Sequence, residues 1–240
     1  MNRNYLAIPL EKMPPRQIIY TACDKVTLMT TSKKIEIPRG VWDFHGHICP
    51  FMPIGYRMGQ IAIRELGVSH IGDHGAFGLS EMGVGHPQVC MIDGFMAVTG
   101  CTYGKLMMER LNYGKVACLL VVPGKGAVRV YLKSEFQDAL GKEEFFVYRK
   151  KGIEPSQVPA DVVKKVVDMV LTAPETEMFS VTKLPDFTFS RPKGSFNKTK
   201  CSKCGEYVFE RYVRMVDGKP ECIPCSGYDQ TWVNVLNGVQ

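Results

Sequence analysis

The stretch DFHGHICPFMPIGYRMGQIAIRELG, residues 43–67, joins a segment rich in reactive side chains to an amphipathic one. In its second half apolar residues recur at helical spacing, with a proline at the entrance and Gly67 at the exit. The pattern predicts a helix over Ile54–Leu66. The preceding residues, Trp42 to Cys49, are interpreted as an extended segment.

The extended segment places three metal-ligating side chains at alternate positions. Residues two apart in a strand face the same side, so His45, His47 and Cys49 would project together. Two imidazoles and a thiol suit zinc or another borderline-soft metal, with a position left for water or substrate. The same set is a thiolate with adjacent bases, and a helix entry beside Cys49 would lower its pKa. Metal binding and thiol chemistry stay open as alternatives.

A second cluster lies at the two ends of a helix predicted over Pro87–Thr99. Cys90 and Asp93 are one helical turn apart and share a face. Cys101 and Lys105 follow the helix in a glycine-containing segment that could bring them back toward a pocket. Cys101 could equally be a small buried hydrophobe.

The remainder of the chain before the cysteine-rich tail is predicted to mix strands and helices. Met1 to Gly40 is interpreted as an irregular, partly β arm, and Cys23 and Cys118 as core residues. Periodicity and turn residues predict the remaining elements: a long loop over 68–87 with a strand near Ala76–Ser80, a hairpin of Lys115–Pro123 with Ala127–Leu132, a short helix over Ser134–Leu140, a helix over Val158–Thr172, and strand-like patches at Gln17–Thr21 and Lys34–Ile37.

The C-terminal region contains two C-x2-C pairs, Cys201 with Cys204 and Cys222 with Cys225, separated by the spacer 205–221. This spacing is typical of structural zinc, which prefers a closed tetrahedron of thiolates and then has no open position for chemistry. A redox-active pair is the alternative. The segment is too small to bury much apolar area, so zinc binding would supply much of its folding free energy.

Between the pairs, the sequence predicts a small β structure. Tyr207–Met215 alternates in strand fashion, and Asp217-Gly218 is typical of a hairpin turn. A short helix after Cys225 would complete a treble clef. The predicted fold class is therefore α+β, a mixed core with a small treble-clef-like zinc finger.

Composition limits the classes of function. The chain has 240 residues, nine cysteines and a formal net charge of +6. Its apolar runs are too short to span a bilayer and its first residues do not resemble a signal peptide, so we expect a cytoplasmic protein without membrane contact. Residues 1–190 are predicted as the core domain, 191–200 as a basic linker and 201–240 as the zinc finger. The linker and nearby aromatic residues could contact nucleic acid or form a solvated tether.

Several ordered motifs resemble the FmdE family, named for a protein associated with formylmethanofuran dehydrogenase operons. The resemblance covers residues 42–132 and extends to the zinc finger that some members add after the core. The motifs that carry it are FHGHICP (Phe44–Pro50), GYRMG (Gly55–Gly59), C-x-x-D (Cys90–Asp93), TGCTYGK (Thr99–Lys105), YGK (Tyr113–Lys115) and VRV (Val128–Val130).

The resemblance implies an α+β core, a treble-clef finger and an intertwined homodimer. It implies a pocket around seven residues: His45, His47, Cys49, Cys90, Asp93, Cys101 and Lys105. Its setting would be the molybdenum- or tungsten-dependent one-carbon metabolism of methanogenesis, with enzyme subunits as partners. The sequence has no C-x2-C-x2-C-x3-C-P iron–sulfur run, so the chain is not expected to be the redox subunit by itself.

Two functions follow from these residues. In the first, the core site binds a metal or activates a thiol for a small ligand such as a pterin or one-carbon carrier. Cys90 and Cys101 are further sulfur ligands or redox partners, Asp93 orients a histidine or a ligand, and Lys105 holds an anionic group. In the second, the core senses a metal or ligand and the zinc finger contacts nucleic acid or a protein. In both, zinc is the structural cofactor, and the core is a candidate site for a second metal.

Overall fold

A computed structural model describes residues 34–85, 87–191 and 194–227. The predicted patch Gln17–Thr21 and Cys23 lie outside these residues. The described parts of the chain contain eight α-helices: α1 Arg39–His45, α2 Phe51–Leu66, α3 Cys90–Thr99, α4 Ser134–Gly141, α5 Glu144–Lys150, α6 Ala160–Thr172, α7 Glu175–Met178 and α8 Ile223–Ser226. They contain nine strands: β1 Phe77–Ser80, β2 Met108–Arg110, β3 Ala117–Val122, β4 Gly126–Leu132, β5 Phe179–Leu184, β6 Lys198–Lys200, β7 Tyr207–Phe209, β8 Arg214–Val216 and β9 Lys219–Glu221.

Five strands form the core sheet in the order β2-β1-β3-β4-β5. β1 and β2 pair in parallel and the other neighbours are antiparallel. The central strand β3 is almost wholly buried, which explains its unbroken apolar sequence ACLLVV. The predicted hairpin of β3 and β4 is confirmed, Cys118 is fully buried as expected of a core residue, and the α+β class is confirmed.

Helix α2 packs against both the sheet and α3, and glycines allow the two helices to approach closely. A Cβ on Gly55 would lie 1.7 Å from the carbonyl oxygen of Met91, and one on Gly94 would lie 2.1 Å from that of Met52. No larger residue fits at either position without moving backbone. This contact fixes the start of α3 beside the start of α2, where the reactive residues lie.

The extended interpretation of residues 42–49 is wrong. Residues Arg39–His45 form α1, which ends where Gly46 adopts a left-handed conformation with φ of 85°. A proline precedes the helix, and Arg39 and Asp43 form an ion pair of 3.6 Å across one turn. The prediction followed the alternating chemistry of three residues and overlooked the helix stop signal of Gly46.

Several other predicted elements differ from the structure in their boundaries or type. Lys34–Ile37 is not a strand; Ile35 instead donates its backbone N–H to Leu171 O at 2.9 Å. Helix α2 begins at Phe51 rather than Ile54, and α3 begins at Cys90 rather than Pro87. The elements α5, β2 and β5 were not predicted; β5 completes an edge of the sheet by pairing with β4.

The tail forms two small ribbons, β6–β7 and β8–β9, followed by α8. The predicted continuous strand over Tyr207–Met215 is wrong, because a 3-10 turn at Glu210–Tyr212 interrupts it. The turn at Asp217-Gly218 is confirmed, with positive φ at both residues as a tight hairpin requires. Helix α8 contains Cys225 rather than following it. Strand β6 lies within the range predicted as linker and pairs with the finger.

Candidate metal centres

The first reactive cluster is built by the end of α1 and the turn that follows it. His45 is the last residue of α1, and the left-handed Gly46 reverses the chain so that His47 comes back beside it. The two imidazole centroids are 4.3 Å apart. Cys49 is fully buried next to the start of α2. A helix end and a glycine turn therefore bring together the residues that an extended strand was expected to align.

Helix α3 contributes a fourth side chain to the same cluster. One donor atom each from His45, His47, Cys49 and Cys90 lies within 4.8 Å of all the others. The sequence pattern places Cys90 in a separate cluster, because it is distant from Cys49 along the chain. The glycine contact between α2 and α3 brings Cys90 next to the three residues of the first cluster. Its place in the first cluster cannot be seen from local spacing.

The donors fit a tetrahedral metal ion. With bond lengths typical of zinc, a nitrogen and a sulfur ligand lie about 3.6 Å apart. His45 Nε2 and Cys49 Sγ are 3.5 Å apart. His47 Nε2 is buried and has no hydrogen-bond partner among the described residues, which would be costly unless something else satisfies it. A metal ion bound to the four side chains would do so.

Asp93 lies next to this cluster and orients the ring of His45. Its Oδ2 is 2.8 Å from Nδ1 of His45, so Nδ1–H donates to the carboxylate and Nε2 is left facing Cys49. This carboxylate–histidine pair is the usual support of a metal-ligating imidazole. Without metal, Asp93 and then Cys90 raise the pKa of His45 to about 9.

The two core thiols differ in acidity. Hydrogen bonding from Cys49, assisted by His45, lowers the pKa of Cys90 to about 4. The pKa of Cys49 is raised because Cys90 beside it is the preferred site of negative charge and because Cys49 is buried. One thiolate is therefore available at neutral pH, and the second ligand must lose its proton when a metal binds.

Cys101 and Lys105 lie outside the four-residue cluster. Cys101 is fully buried, and this burial raises the pKa of its thiol. Lys105 Nζ donates to the backbone oxygens of Ile71 and Gly72, at 3.4 and 3.2 Å. A functional role for these two residues stays a prediction.

The tail brings its four cysteines together as predicted, with their sulfurs within 4.8 Å of one another. Cys204 Sγ and Cys222 Sγ are 4.0 Å apart, close to the separation of about 3.8 Å in a zinc tetrathiolate. Backbone N–H groups of Cys204 and Cys222 stabilise the thiolate of Cys201 and lower its pKa to about 6. The cluster therefore suits a metal ion with four thiolate ligands.

In the parts of the chain that the structure describes, no helix is both long and apolar enough to cross a membrane. The fold and the two clusters thus define an α+β protein with two candidate metal centres, one mixed histidine–cysteine and one all-cysteine.

The core matches a known family. The family model described as "FmdE, Molybdenum formylmethanofuran dehydrogenase operon" matches residues 44–180, more than half of the chain. The chain therefore belongs to the FmdE family. The matched region contains all of the core cluster.

Two individual proteins are similar to this chain. A "Probable S-adenosyl-L-methionine-binding protein" of Archaeoglobus fulgidus is 31% identical over 194 residues, which cover 77% of this chain and 51% of that protein. The chain thus spans about half the length of this curated relative. The crystal structure of a "tungsten formylmethanofuran dehydrogenase subunit e (fmde)-like protein" from Syntrophus aciditrophicus has 21% sequence identity and a TM-score of 0.49, covering 80% of this chain and 91% of that one.

Proposed function

We propose that this protein binds one metal ion in its core through His45, His47, Cys49 and Cys90 and presents it to a small ligand. It would act as an accessory protein of formylmethanofuran dehydrogenase or of a related molybdenum or tungsten enzyme of one-carbon metabolism. Zinc would occupy the tail. The observation that carries the core proposal is the buried Nε2 of His47, which has no partner among the described residues and lies among three further donors.

The donor set favours metal binding over free-thiol chemistry. A catalytic thiolate needs one base near it, whereas here two imidazoles and a second thiol surround Cys90. Two thiolates and two neutral imidazoles also make a neutral complex with a divalent ion. A neutral complex is suited to a cluster of which one member, Cys49, is fully buried.

The surroundings of the cluster support a role beyond folding. Asp93 is 37% exposed and Cys90 is half-buried, so the α3 side of the cluster is open to solvent. Phe44 and Ile48, each next to a ligand in the sequence, are 70% and 60% exposed. Four protein donors complete a tetrahedron, so a bound metal would supply Lewis acidity there only with a fifth ligand added. The chain itself would hold the ion, orient His45 through Asp93 and offer an apolar rim to a ligand.

Metal analysis of matched variants tests the core site. One variant replaces the four tail cysteines with serine; the other carries His47→Ala and Cys90→Ser with the tail intact. We expect about two metal ions per native chain and about one in each variant. Anomalous scattering from crystals of the tail variant would identify the core ion.

Two results would decide against the proposal. If the tail variant folds but carries no metal after purification and reconstitution, the core does not bind a metal ion. Rapid alkylation of Cys90 in that variant, unaffected by added zinc, would favour the thiol alternative. Co-purification of the native chain, but not the core variant, with the molybdenum or tungsten enzyme is the expected result for the accessory role.

The face of the β6–β7 ribbon favours a second function, binding of single-stranded nucleic acid. Lys198 Nζ and Lys200 Nζ lie 4.5 and 5.6 Å from the ring centre of Tyr207. Tyr207 is 61% exposed and Phe209 47% exposed. Exposed aromatic rings among lysines suit bases that stack and phosphates that need cations.

Fluorescence anisotropy with a short, labelled single-stranded RNA would test this second function. We expect binding that weakens steeply with salt and a loss of about tenfold or more in the double variant Tyr207→Ala, Lys200→Ala. Lys151→Ala, an exposed lysine of the core, is the matched control. Absence of binding at low salt, or equal loss in the control, would exclude the ribbon as a nucleic-acid site.

A further inference from the structure

A cleft of about 490 Å³ lies one helical turn from the His45–Asp93 pair. Its walls come from α1, from the C-terminal part of α3 and from the TGCTYGK segment that follows α3. The lining residues are Gly40, Val41, Phe44, His70, Met96, Ala97, Gly100, Thr102, Tyr103, Gly104 and Lys105. Its volume lies within the range of small-molecule sites.

The position of the cleft relative to the core cluster follows from helix geometry. Val41 precedes His45 by four residues on α1, and Ala97 follows Asp93 by four residues on α3. Residues four apart lie one above the other on a helix, at a rise of about 5.4 Å per turn. A molecule in the cleft would therefore lie directly beside the hydrogen-bonded pair that supports the metal ligand His45.

The lining chemistry selects one class of ligand. Phe44 and Tyr103 are aromatic and exposed by 70% and 38%, so their rings are accessible to a planar group. Val41, Met96 and Ala97 make the wall between them apolar. These apolar side chains can cover the faces of a flat ring without burying a hydrogen-bonding group that lacks a partner.

One end of the cleft is cationic. Lys105 is its lysine, and none of the described lining residues is acidic. Two of the three ammonium hydrogens of Lys105 can serve the oxygens of Ile71 and Gly72, which leaves a donor for a ligand. A single fixed positive charge matches a carboxylate better than a multiply charged phosphate.

His70 adds a hydrogen-bond acceptor at the same end, which suits an N–H donor on a ligand ring rather than its carboxylate. Its Nδ1 is 3.0 Å from the carbonyl oxygen of Val98, which can only accept, so Nδ1 carries the hydrogen and a neutral ring leaves Nε2 as an acceptor. Gly100 permits this arrangement, because a Cβ there would lie 2.2 Å from Ile71 O and 3.0 Å from His70 Nε2.

We propose that this cleft is the ligand site of the core metal centre and that it binds a planar heteroaromatic carboxylate. The ring lies against Phe44 and Tyr103, and the carboxylate pairs with Lys105. The proposal rests on the proposed function only for the neighbouring metal; the cleft and its lining stand independently of it.

Titration of the full-length protein with two fluorescent pterins tests the cleft. Pterin-6-carboxylate carries the ring and the anion, and 6-methylpterin carries the ring without the anion. We expect the carboxylate to bind more tightly, and Lys105→Met to weaken it by about 10- to 100-fold while changing binding of 6-methylpterin little. This difference isolates the charge pair from any structural effect of the substitution.

Two further variants complete the test. Gly40 lines the cleft, and a Cβ there would meet no described atom within 4 Å outside its own helix turn, so Gly40→Phe should fill the cleft and abolish binding of both pterins. Lys125→Met is the matched control, since Lys125 Nζ also bonds two backbone oxygens, of Leu66 and Gly67, away from the cleft. It should leave both affinities unchanged.

The outcomes separate the two proposals. No binding of pterin-6-carboxylate, equal losses for both pterins in Lys105→Met, or full affinity in Gly40→Phe would each overturn the cleft proposal. Metal content measured on the same samples is the independent readout. Full core metal with no pterin binding contradicts the cleft alone, and selective pterin binding by a tail variant without metal contradicts the metal site alone.

Discussion

The core and tail clusters both gather four donors, yet the chain around them differs. In the core, helices α2 and α3 bring Cys90 to Cys49 from a distant part of the chain, and a large apolar core packs against one side of the cluster. In the tail, two turns present all four cysteines within the short segment 201–225, and Cys204 is exposed. The core can therefore fold around its donors, whereas the tail depends on its metal to fold.

The two centres also differ in the net charge of their metal complexes. With a divalent ion, two thiolates and two imidazoles give a neutral complex, while four thiolates give a net charge of −2 in the all-thiolate formula. The charged complex is at a more exposed site, where Lys203 donates to Cys225 O at 2.8 Å and pairs with Glu221 at 3.0 Å. Each donor set thus suits its surroundings.

The largest expected effect is the response of the two regions to metal removal. Treatment with a chelator should remove amide protection from β6 to β9, because the ion supplies most of the folding free energy of so small a unit, roughly 10 kcal/mol. Amides of β3 and α2 should stay protected, since their stability comes from the buried core. Hydrogen exchange read by mass spectrometry would follow both regions at once.

Single substitutions sharpen that experiment. Cys222→Ser should reproduce the effect of chelation on the tail, and Cys90→Ser should remove the core metal while leaving protection of β3 in place. The claim that only the tail needs its metal to fold would be contradicted by persistent amide protection of the metal-free tail. Unfolding of the core in Cys90→Ser would contradict it as well.

The sequence was most informative where local rules determine structure. The helical spacing of α2, the β3–β4 hairpin, the Asp217-Gly218 turn and the paired cysteines of the tail are local features, and the structure confirms each of them. The spacing of one C-x2-C pair already places two sulfurs together. The four-cysteine cluster of the tail could therefore be predicted almost entirely.

The core cluster could be predicted only in part, because it depends on one local signal that the alternating residues masked and on one contact that is not local. The alternation of His45, His47 and Cys49 suggested a strand, although Gly46 ends a helix between the first two. Cys90 joins them because glycines let α2 and α3 touch backbone to backbone. Neither the helix crossing nor the cleft beside it leaves a periodic signal in the sequence.

A smaller effect concerns Asp93, whose carboxylate supports a ligand imidazole; the four-cysteine cluster of the tail contains no imidazole to support. The carboxylate holds a proton on His45, whose pKa is about 9 in the metal-free protein. A metal must displace this proton from the charged imidazole, so His45 should contribute to a rise of metal affinity with pH up to about 9, and the thiol proton of Cys49 should add to the rise throughout. Asp93→Asn removes the negative charge, so the pKa of His45 should fall and the contribution of His45 to the rise should end at a lower pH.

Above that range the proton of His45 no longer competes with the metal in either protein, and the proton of Cys49 competes equally in both. The difference between the two proteins then reports the loss of orientation alone. There we expect Asp93→Asn to bind metal about 10- to 100-fold more weakly than the native core, because the ligand imidazole is less basic and less firmly held. Competition with a chelator from pH 6 to 10, in the variant without tail cysteines, measures both effects, and NMR titration of the metal-free protein follows His45. An unchanged pH profile in Asp93→Asn would mean that the carboxylate contact at 2.8 Å does not control the ligand, and the core centre would then resemble the tail.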